Sequence, residues 1–214
     1  MNVSKMISLM KTLGIGNVLG DTDSEAIALQ YLNLAHEELY SETANINCQN
    51  FINDSSLVSI PNQSYVTLSF NPFTVLKVFP IGHSFPLEPK SILELEEYKF
   101  LNPSSGNPQF FNNIGKTLNF YPIISTSIYT FSSWYSPERT LLDANTPETD
   151  IPYPLSYQRL LVDGGLYYLF QDESGFKNPK KEDQALRRWE SGKMNLKSYF
   201  YGSNKQLIST FRNA

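Results

Sequence analysis

Apolar residues recur along the chain at two different periods, and the change of period divides it into three parts. In Ser4–Leu13, Met6, Leu9, Met10 and Leu13 stand at helical spacing, and Gly14 and Gly16 follow where a helix would stop. Thr22-Asp23-Ser24-Glu25 matches a capping box, in which the hydroxyl takes an orphan N–H and the glutamate reaches back to the cap's own N–H. The run that follows places Ala28, Leu32, Ala35 and Leu39 along one stripe, widened by Ile27, Tyr31 and Leu34, with Gln30, Asn33, Glu37 and Glu38 opposite. That pattern predicts an amphipathic helix that packs on another element.

From about Thr43 to Tyr135 prolines, asparagines and serines punctuate short runs rich in Val, Ile, Thr, Tyr and Phe, which predicts strands. Tyr65–Phe70 alternates Val66, Leu68 and Phe70 against Tyr65, Thr67 and Ser69; Val75–Phe79 and Ser127–Tyr135 repeat the period of two. Gln109–Phe111 and Thr117–Tyr121 flank Asn112–Lys116, whose Asn and Gly residues suit a hairpin connection. Between these strands Ser91–Phe100 reads as a short helix with Ile92, Leu95 and Tyr98 along one side, placed to cap the sheet.

After a proline-marked stretch from Pro137 to Pro154 the helical period returns. Ser156 is a candidate N-cap for a helix ending before Ser174-Gly175. Gly164 and Gly165 fall in its middle, where each costs on the order of 1 kcal/mol relative to Ala; close approach of another helix or of a neighbouring subunit would compensate. Asn178-Pro179 gives an N-cap followed by proline at the first helical position. Ala185, Trp189, Gly192, Leu196 and Phe200 then mark the buried face of a last helix over about 179–200. The remainder, Tyr201–Ala214, has no acidic residue and reads as non-helical, with Leu207, Ile208 and Phe211 unable to bury themselves. It is either a frayed end or an arm that orders in a partner's groove.

Composition narrows the function classes. The 214 residues, 41% of them apolar, are enough for a packed core without disulfide or metal. One cysteine, Cys48, excludes an intrachain disulfide, and two histidines, His36 and His83, give no metal spacing. No apolar run approaches the roughly 18 to 20 residues that span a bilayer, and the N-terminus lacks a cleavage pattern, so the chain reads as soluble and unsecreted. The formal charge is -4. Residues 151–214 hold ten Lys or Arg against six Asp or Glu, a balance of +4, and the remaining 7 basic and 15 acidic residues leave -8 for residues 1–150. Opposite signs at the two ends suit head-to-tail association, or simply mark a lysine-rich last helix.

Reactive constellations are scarce. Cys48 has no nearby cation in sequence to activate it, and nucleotide, nucleophile-elbow and zincin motifs are absent from the sequence. Glu94 and Glu97 lie on one side of a short helix and are the pair that glycosidic hydrolysis would require, although acidic residues on such a helix ordinarily form a solvated face. The aromatics offer a further surface. Tyr129, Phe131 and Tyr135 share one face of a strand, and Ile128, Thr130, Ser132 and Trp134 the other. One face must be core; an exposed aromatic row is a candidate for lateral protein contacts.

Three sequence runs carry a resemblance. They are Gly106–Pro122, with the order G-x-P-x-aromatic, hairpin and Phe120-Tyr121-Pro122; Tyr129–Pro137, an aromatic strand ending at proline; and Ile151–Leu169, a helix entered through Pro154-Leu-Ser-Tyr157. In this order, and with the early helix ALQYLNLAHEELY, the chain resembles the head-to-tail adaptor (connector) proteins of tailed bacteriophages, especially short-tailed ones. The resemblance implies an α+β fold, with a helical bundle built from both ends of the chain (1–42 and 154–200), an inserted β-rich domain of barrel or sandwich type (43–153) and an extended C-terminal arm (201–214).

It also implies a structural virion protein and no catalytic residue, cofactor or metal. Such proteins form dodecameric rings at the virion neck, between capsid and tail, after assembly in the host cytoplasm. Their partners are other copies of themselves, the portal protein, and tail or further ring proteins; DNA passes through the channel without sequence-specific binding, and no membrane is involved. By the same resemblance Lys205, Leu207, Ile208, Phe211 and Arg212 are the portal-docking arm. The residues' own pattern makes Gly164, Gly165 and Trp189 helix-packing positions and Tyr129, Phe131 and Tyr135 candidate lateral contacts. The rival reading is a phage-associated cell-wall glycan hydrolase or glycan-binding module.

Overall fold

The computed structural model describes the chain apart from residues 17–20, 48–49, 83–84, 102–105, 125–126, 173–174 and 213–214, and apart from the side chains of 21–22, 55 and 204–212. It is mixed α and β, in two compact units: Met1–Gln49 with Arg139–Ala214, and Asn50–Glu138.

In the first unit α1 (Val3–Met10) runs into a π-helical turn, Lys11–Ile15, and is followed by α2 (Asp21–Thr43), α4 (Leu160–Gln171) and α5 (Pro179–Arg212). Asn2 caps α1 by accepting from the Lys5 N–H, and Asn178 caps α5 by accepting from the Lys181 N–H at 3.2 Å. One core gathers Met6 and Met10 from α1, Leu32, Ala35 and Leu39 from α2, Leu161, Leu166 and Leu169 from α4, and Trp189, Leu196 and Phe200 from α5.

The sequence pattern starts the helix at 160 three residues too early. Residues 155–159 form turns, and Arg159, not Ser156, stands at the cap without a side-chain cap bond. The last helix, by contrast, continues twelve residues past Phe200. The segment expected as an extended arm is helical through Arg212, because nothing after Phe200 stops a helix. Gly202 carries only about 1 kcal/mol of penalty, and Leu207, Ile208 and Phe211 follow Phe200 at spacings of 7, 8 and 11, which is a helical stripe.

The stretch 139–153, grouped by its prolines with the β region, belongs instead to the helical unit. Polar side chains of α2 hold it there. Asn33 donates from Nδ2 to the Leu142 carbonyl at 3.0 Å and accepts from the Leu142 N–H at 2.9 Å, and Glu37 pairs with Arg139 at 3.3 Å. Leu142, Ile151 and Tyr153 then enter the helical core.

The second unit holds β1 (Ile52–Val58), β2 (Tyr65–Thr67), β3 (Pro72–Pro80), β4 (Glu88–Pro89), α3 (Ile92–Leu101), β5 (Phe110–Ile114), β6 (Thr117–Tyr121) and β7 (Thr130–Pro137). They form two sheets, β1-β7-β3 and β2-β6-β5-β4, neither closed into a barrel. Their buried faces share one core: Leu57, Val78 and Phe131 meet Val66, Phe111, Leu118 and Phe120, with the Phe120 and Phe131 rings stacked at 4.5 Å. The β5–β6 hairpin is tighter than its sequence suggested. Ile114 pairs with Thr117, leaving a two-residue loop with Gly115 at φ +55, and the asparagines lie in the strand.

Within the helical unit, α4 is the most closely approached element. A Cβ at Gly164 would lie 2.8 Å from the Trp189 ring and 2.9 Å from the Ala35 Cβ, and one at Gly165 would lie 2.9 Å from the Met10 Sδ. Gly164→Ala is therefore expected to destabilise the unit by about 1–3 kcal/mol through overpacking. Gly202→Ala, which meets nothing within 4 Å, is expected to be neutral or to stabilise by up to about 1 kcal/mol through helix propensity. Urea denaturation of the two variants checks the contrast.

Candidate interaction surfaces

Trp189, which covers Gly164, is buttressed by an ionic network between α2 and α5. Lys193, nearly inaccessible on α5, lies 2.5 Å from Glu38 Oε1, 3.1 Å from Glu42 Oε1 and 2.8 Å from Glu190 Oε1, while Lys197 reaches Glu42 at 2.7 Å. Glu38 also accepts from Trp189 Nε1 at 3.3 Å and from the Tyr168 hydroxyl, so one carboxylate ties three helices. Burial works against the charge of Lys193, but hydrogen bonds to Glu190, Glu38 and Glu42 outweigh it and hold the ammonium above its ordinary pKa. Glu42 is likewise disfavoured by burial and yet held below the usual carboxylate range by its bonds to Lys197 and Lys193.

His36, on the same helix, is buried with its ring edge-on to Tyr40 and Tyr153 and neither ring nitrogen hydrogen-bonded. Burial first, and then the charge of Arg139, push its pKa down to about 4. It is a neutral core histidine. His83 and Cys48 lie outside the described residues, and among the described residues no group of three or more His, Cys, Asp or Glu stands ready to hold a metal.

Of the two carboxylates put forward for glycan chemistry, Glu94 does another job. Ser91 and Glu94 form a capping box at the start of α3: the Ser91 N–H donates to Glu94 Oε2 at 2.7 Å, and the Glu94 N–H to Ser91 Oγ at 3.2 Å. Those Ser91 bonds lower the Glu94 pKa. A general acid requires the opposite shift.

The aromatic row placed for lateral contacts faces inward. Phe131 is fully buried in the β core, Tyr135 is buried and stacked on Phe70 at 3.7 Å, and Tyr129 is half-buried with its hydroxyl bonded to Asn107. Strand β7 alternates buried and half-buried positions, so that Phe131 fills the space between the sheets while Trp134 stays half-buried on the other face. One exposed apolar surface lies on α3, which buries Leu95 and leaves Leu93 79%, Phe100 86% and Leu101 64% exposed. Beside α3 runs a groove of about 640 Å³ bordered by Phe85, Pro86, Pro108 and Phe110. It is continuous with the helix through the Tyr98 and Phe110 rings, 4.9 Å apart. Sequence reasoning missed this surface because it followed only Ile92, Leu95 and Tyr98 along one side of the helix and gave Leu93, Phe100 and Leu101 no place. A signal was available, since Leu93 and Phe100, seven apart, cannot share the side occupied by Leu95.

The side chains of Lys205, Leu207, Ile208, Phe211 and Arg212 lie outside those described; their backbone is the end of α5. Among the described residues, Phe200 is the last of the helical core.

The shifts at His36 and Glu42 give the helical unit a defined acid response. The unfolded chain takes up a proton at His36 near pH 6.5, the folded one only near 4. The stability tied to neutral His36 is therefore complete above 6.5 and lost as pH falls towards 4, by about 3 kcal/mol in all. Glu42 adds to the loss at lower pH, since its stabilisation is present above its unfolded value and disappears as the folded carboxylate protonates. Chemical denaturation at stepped pH should show this slope, and His36→Leu should flatten it between 6.5 and 4.

Comparison with known proteins places this architecture. No curated protein matches the chain. The family model described as SU10 adaptor protein matches residues 1–199, all but the last fifteen residues and thus every element up to the final part of α5. The chain belongs to the SU10 adaptor protein family, a family of bacteriophage head–tail adaptors.

Proposed function

We propose that this chain is a ring-forming component of the virion neck that joins the portal of the capsid to the tail and continues the DNA channel. The observation that carries the reading is the family match across both units of the chain. Physical features support it. The helices of the two chain ends share one core and act as a bundle, and the ion network on α2 and α5 fixes how those helices pack. The second unit carries an exposed apolar surface on α3, of the kind that marks an interaction site. Glu94, one of the two carboxylates that the rival reading of glycan hydrolysis would use, serves as a helix cap.

The ring is dodecameric in this proposal, by resemblance to other adaptors. Its contacts are with further copies, with the portal and with tail or other ring proteins, and DNA passes through it without sequence-specific recognition. The end of α5 is the portal-docking element. It continues a helix beyond the last core residue, it holds Lys205 and Arg212 with no acidic residue, and its apolar Leu207, Ile208 and Phe211 recur at helical spacing. Such a segment docks as a basic amphipathic helix in an apolar groove with an acidic rim.

The test is co-sedimentation with assembled portal rings. The full chain is expected to bind and form a ring on them, whereas deletion of residues 201–214 is expected to abolish binding. Because Phe200 is the last of the described residues in the core, the deletion is expected to leave thermal unfolding of the monomer within a few degrees of the full chain. Failure of the full chain to bind portal rings would refute the reading.

A further inference from the structure

We infer that the outward face of α3 is a self-association surface whose occupant is the basic start of α4, with the adjoining face of α5, on a second copy of this chain. The inference rests on the ring reading and specifies which surfaces make its lateral contact.

The argument begins with the geometry of α3. At 100° per residue, Leu93, Glu96, Glu97, Phe100 and Leu101 fall on one side of the helix and Leu95 on the other. Leu95 is the residue buried against the β unit. The outward side alone thus leaves on the order of 400 Å² of apolar side chain in water, judged from the sizes of one Phe and two Leu. That approaches the largest patch a typical monomer exposes, and the neighbouring groove with Phe85, 80% exposed, extends it.

Charge selects what covers it. Glu94, Glu96 and Glu97 against Lys99 make α3 net negative, so an acidic or neutral apolar partner would be repelled or left unpaired. The first unit offers a surface of opposite character. Leu155, 64% exposed, and Tyr199, whose ring lies 5.6 Å from that of Tyr157, supply apolar contact area. Arg159 and Arg188 are both exposed beside Asp163. Burial raises the pKa of that one carboxyl, and it sets two guanidiniums against a single acid. Acidic and apolar on one surface, basic and apolar on the other, the two are complementary but not alike. Contact between them is heterologous, the type that builds rings, and charge at its rim sets orientation and register.

The experiment uses the full chain in sedimentation velocity over a range of concentration, alone and on portal rings. Leu93→Ser, Phe100→Ser and Glu97→Arg, all at exposed positions, are expected to leave the monomer folded and to weaken self-association at least tenfold. Arg188→Glu should weaken it likewise, and Glu97→Arg mixed in equal amount with Arg188→Glu should recover association through the one restored pairing. As a measurement that needs no variant, hydrogen exchange of the wild-type chain should show protection of residues 92–101, 155–159 and 188–199 on assembly.

If the wild-type chain forms rings and the α3 variants do so equally well, with no protection over 92–101, the inference fails and the ring reading stands. If α3 is protected only by a tail or portal protein, the second copy is the wrong occupant and the inference also fails. A lack of recovery in the mixed variants would reject the α4 and α5 face. If the wild-type chain stays monomeric even on portal rings, it is the ring reading that falls, and the inference with it.

Discussion

The helical unit depends on α4 lying closer to its neighbours than any residue larger than glycine would allow. Gly164 leaves room for the Trp189 ring and for Ala35 at once, and Gly165 does the same for Met10. Gly192 on α5 performs the reciprocal service, since a Cβ there would lie 2.2 Å from Leu160 Cδ1. Two glycines in mid-helix cost roughly 2 kcal/mol in propensity. The close approach offsets this by burying Trp189 completely and by letting Leu161 and Leu169 reach the common core. Everything else in the unit is arranged around that contact.

The ionic network is the second layer of this arrangement. Removing one member of a buried ion pair leaves an uncompensated charge, whereas the intact pair adds little net stability over an apolar substitute. Its value at Lys193 is therefore one of specificity: α5 slid by one turn against α2 would strand the ammonium away from Glu38 and Glu42. A neck component must transmit contacts between unlike partners, and a helix pair locked in register is suited to that. The same logic applies to Asn33 and Glu37, which fix the return of the chain into the helical unit through the Leu142 backbone and Arg139.

The β unit divides its apolar residues between two uses. The alternation in β5, β6 and β7 places Phe111, Phe120 and Phe131 between the sheets, whereas α3, anchored by Leu95 and started by the Ser91–Glu94 box, spends its remaining apolar residues outward. A helix held by one buried residue and a cap can exist only as part of a larger fold, and it presents a rigid surface at little entropic cost on binding.

Local periodicity was enough to determine the α and β segments of this chain. The stripe Ala28, Leu32, Ala35, Leu39, the Asn178-Pro179 start of α5 and the two strands around Gly115 are written in neighbouring residues, because capping and alternation act over a few positions. Gly164 and Gly165 announced a close approach in the same way, without saying to what.

Tertiary structure decided what sequence distance hides. It turned the polar residues Asn33, Glu37 and Glu38 into the fastenings of the helical unit, and it sent Phe131 and Tyr135 inward and Phe100 outward. Each of these outcomes depends on which remote side chain competes for the same space or the same hydrogen bond. A strand or helix face is apolar or polar by its own sequence, but whether it meets water or protein is fixed only when the other elements have taken their places.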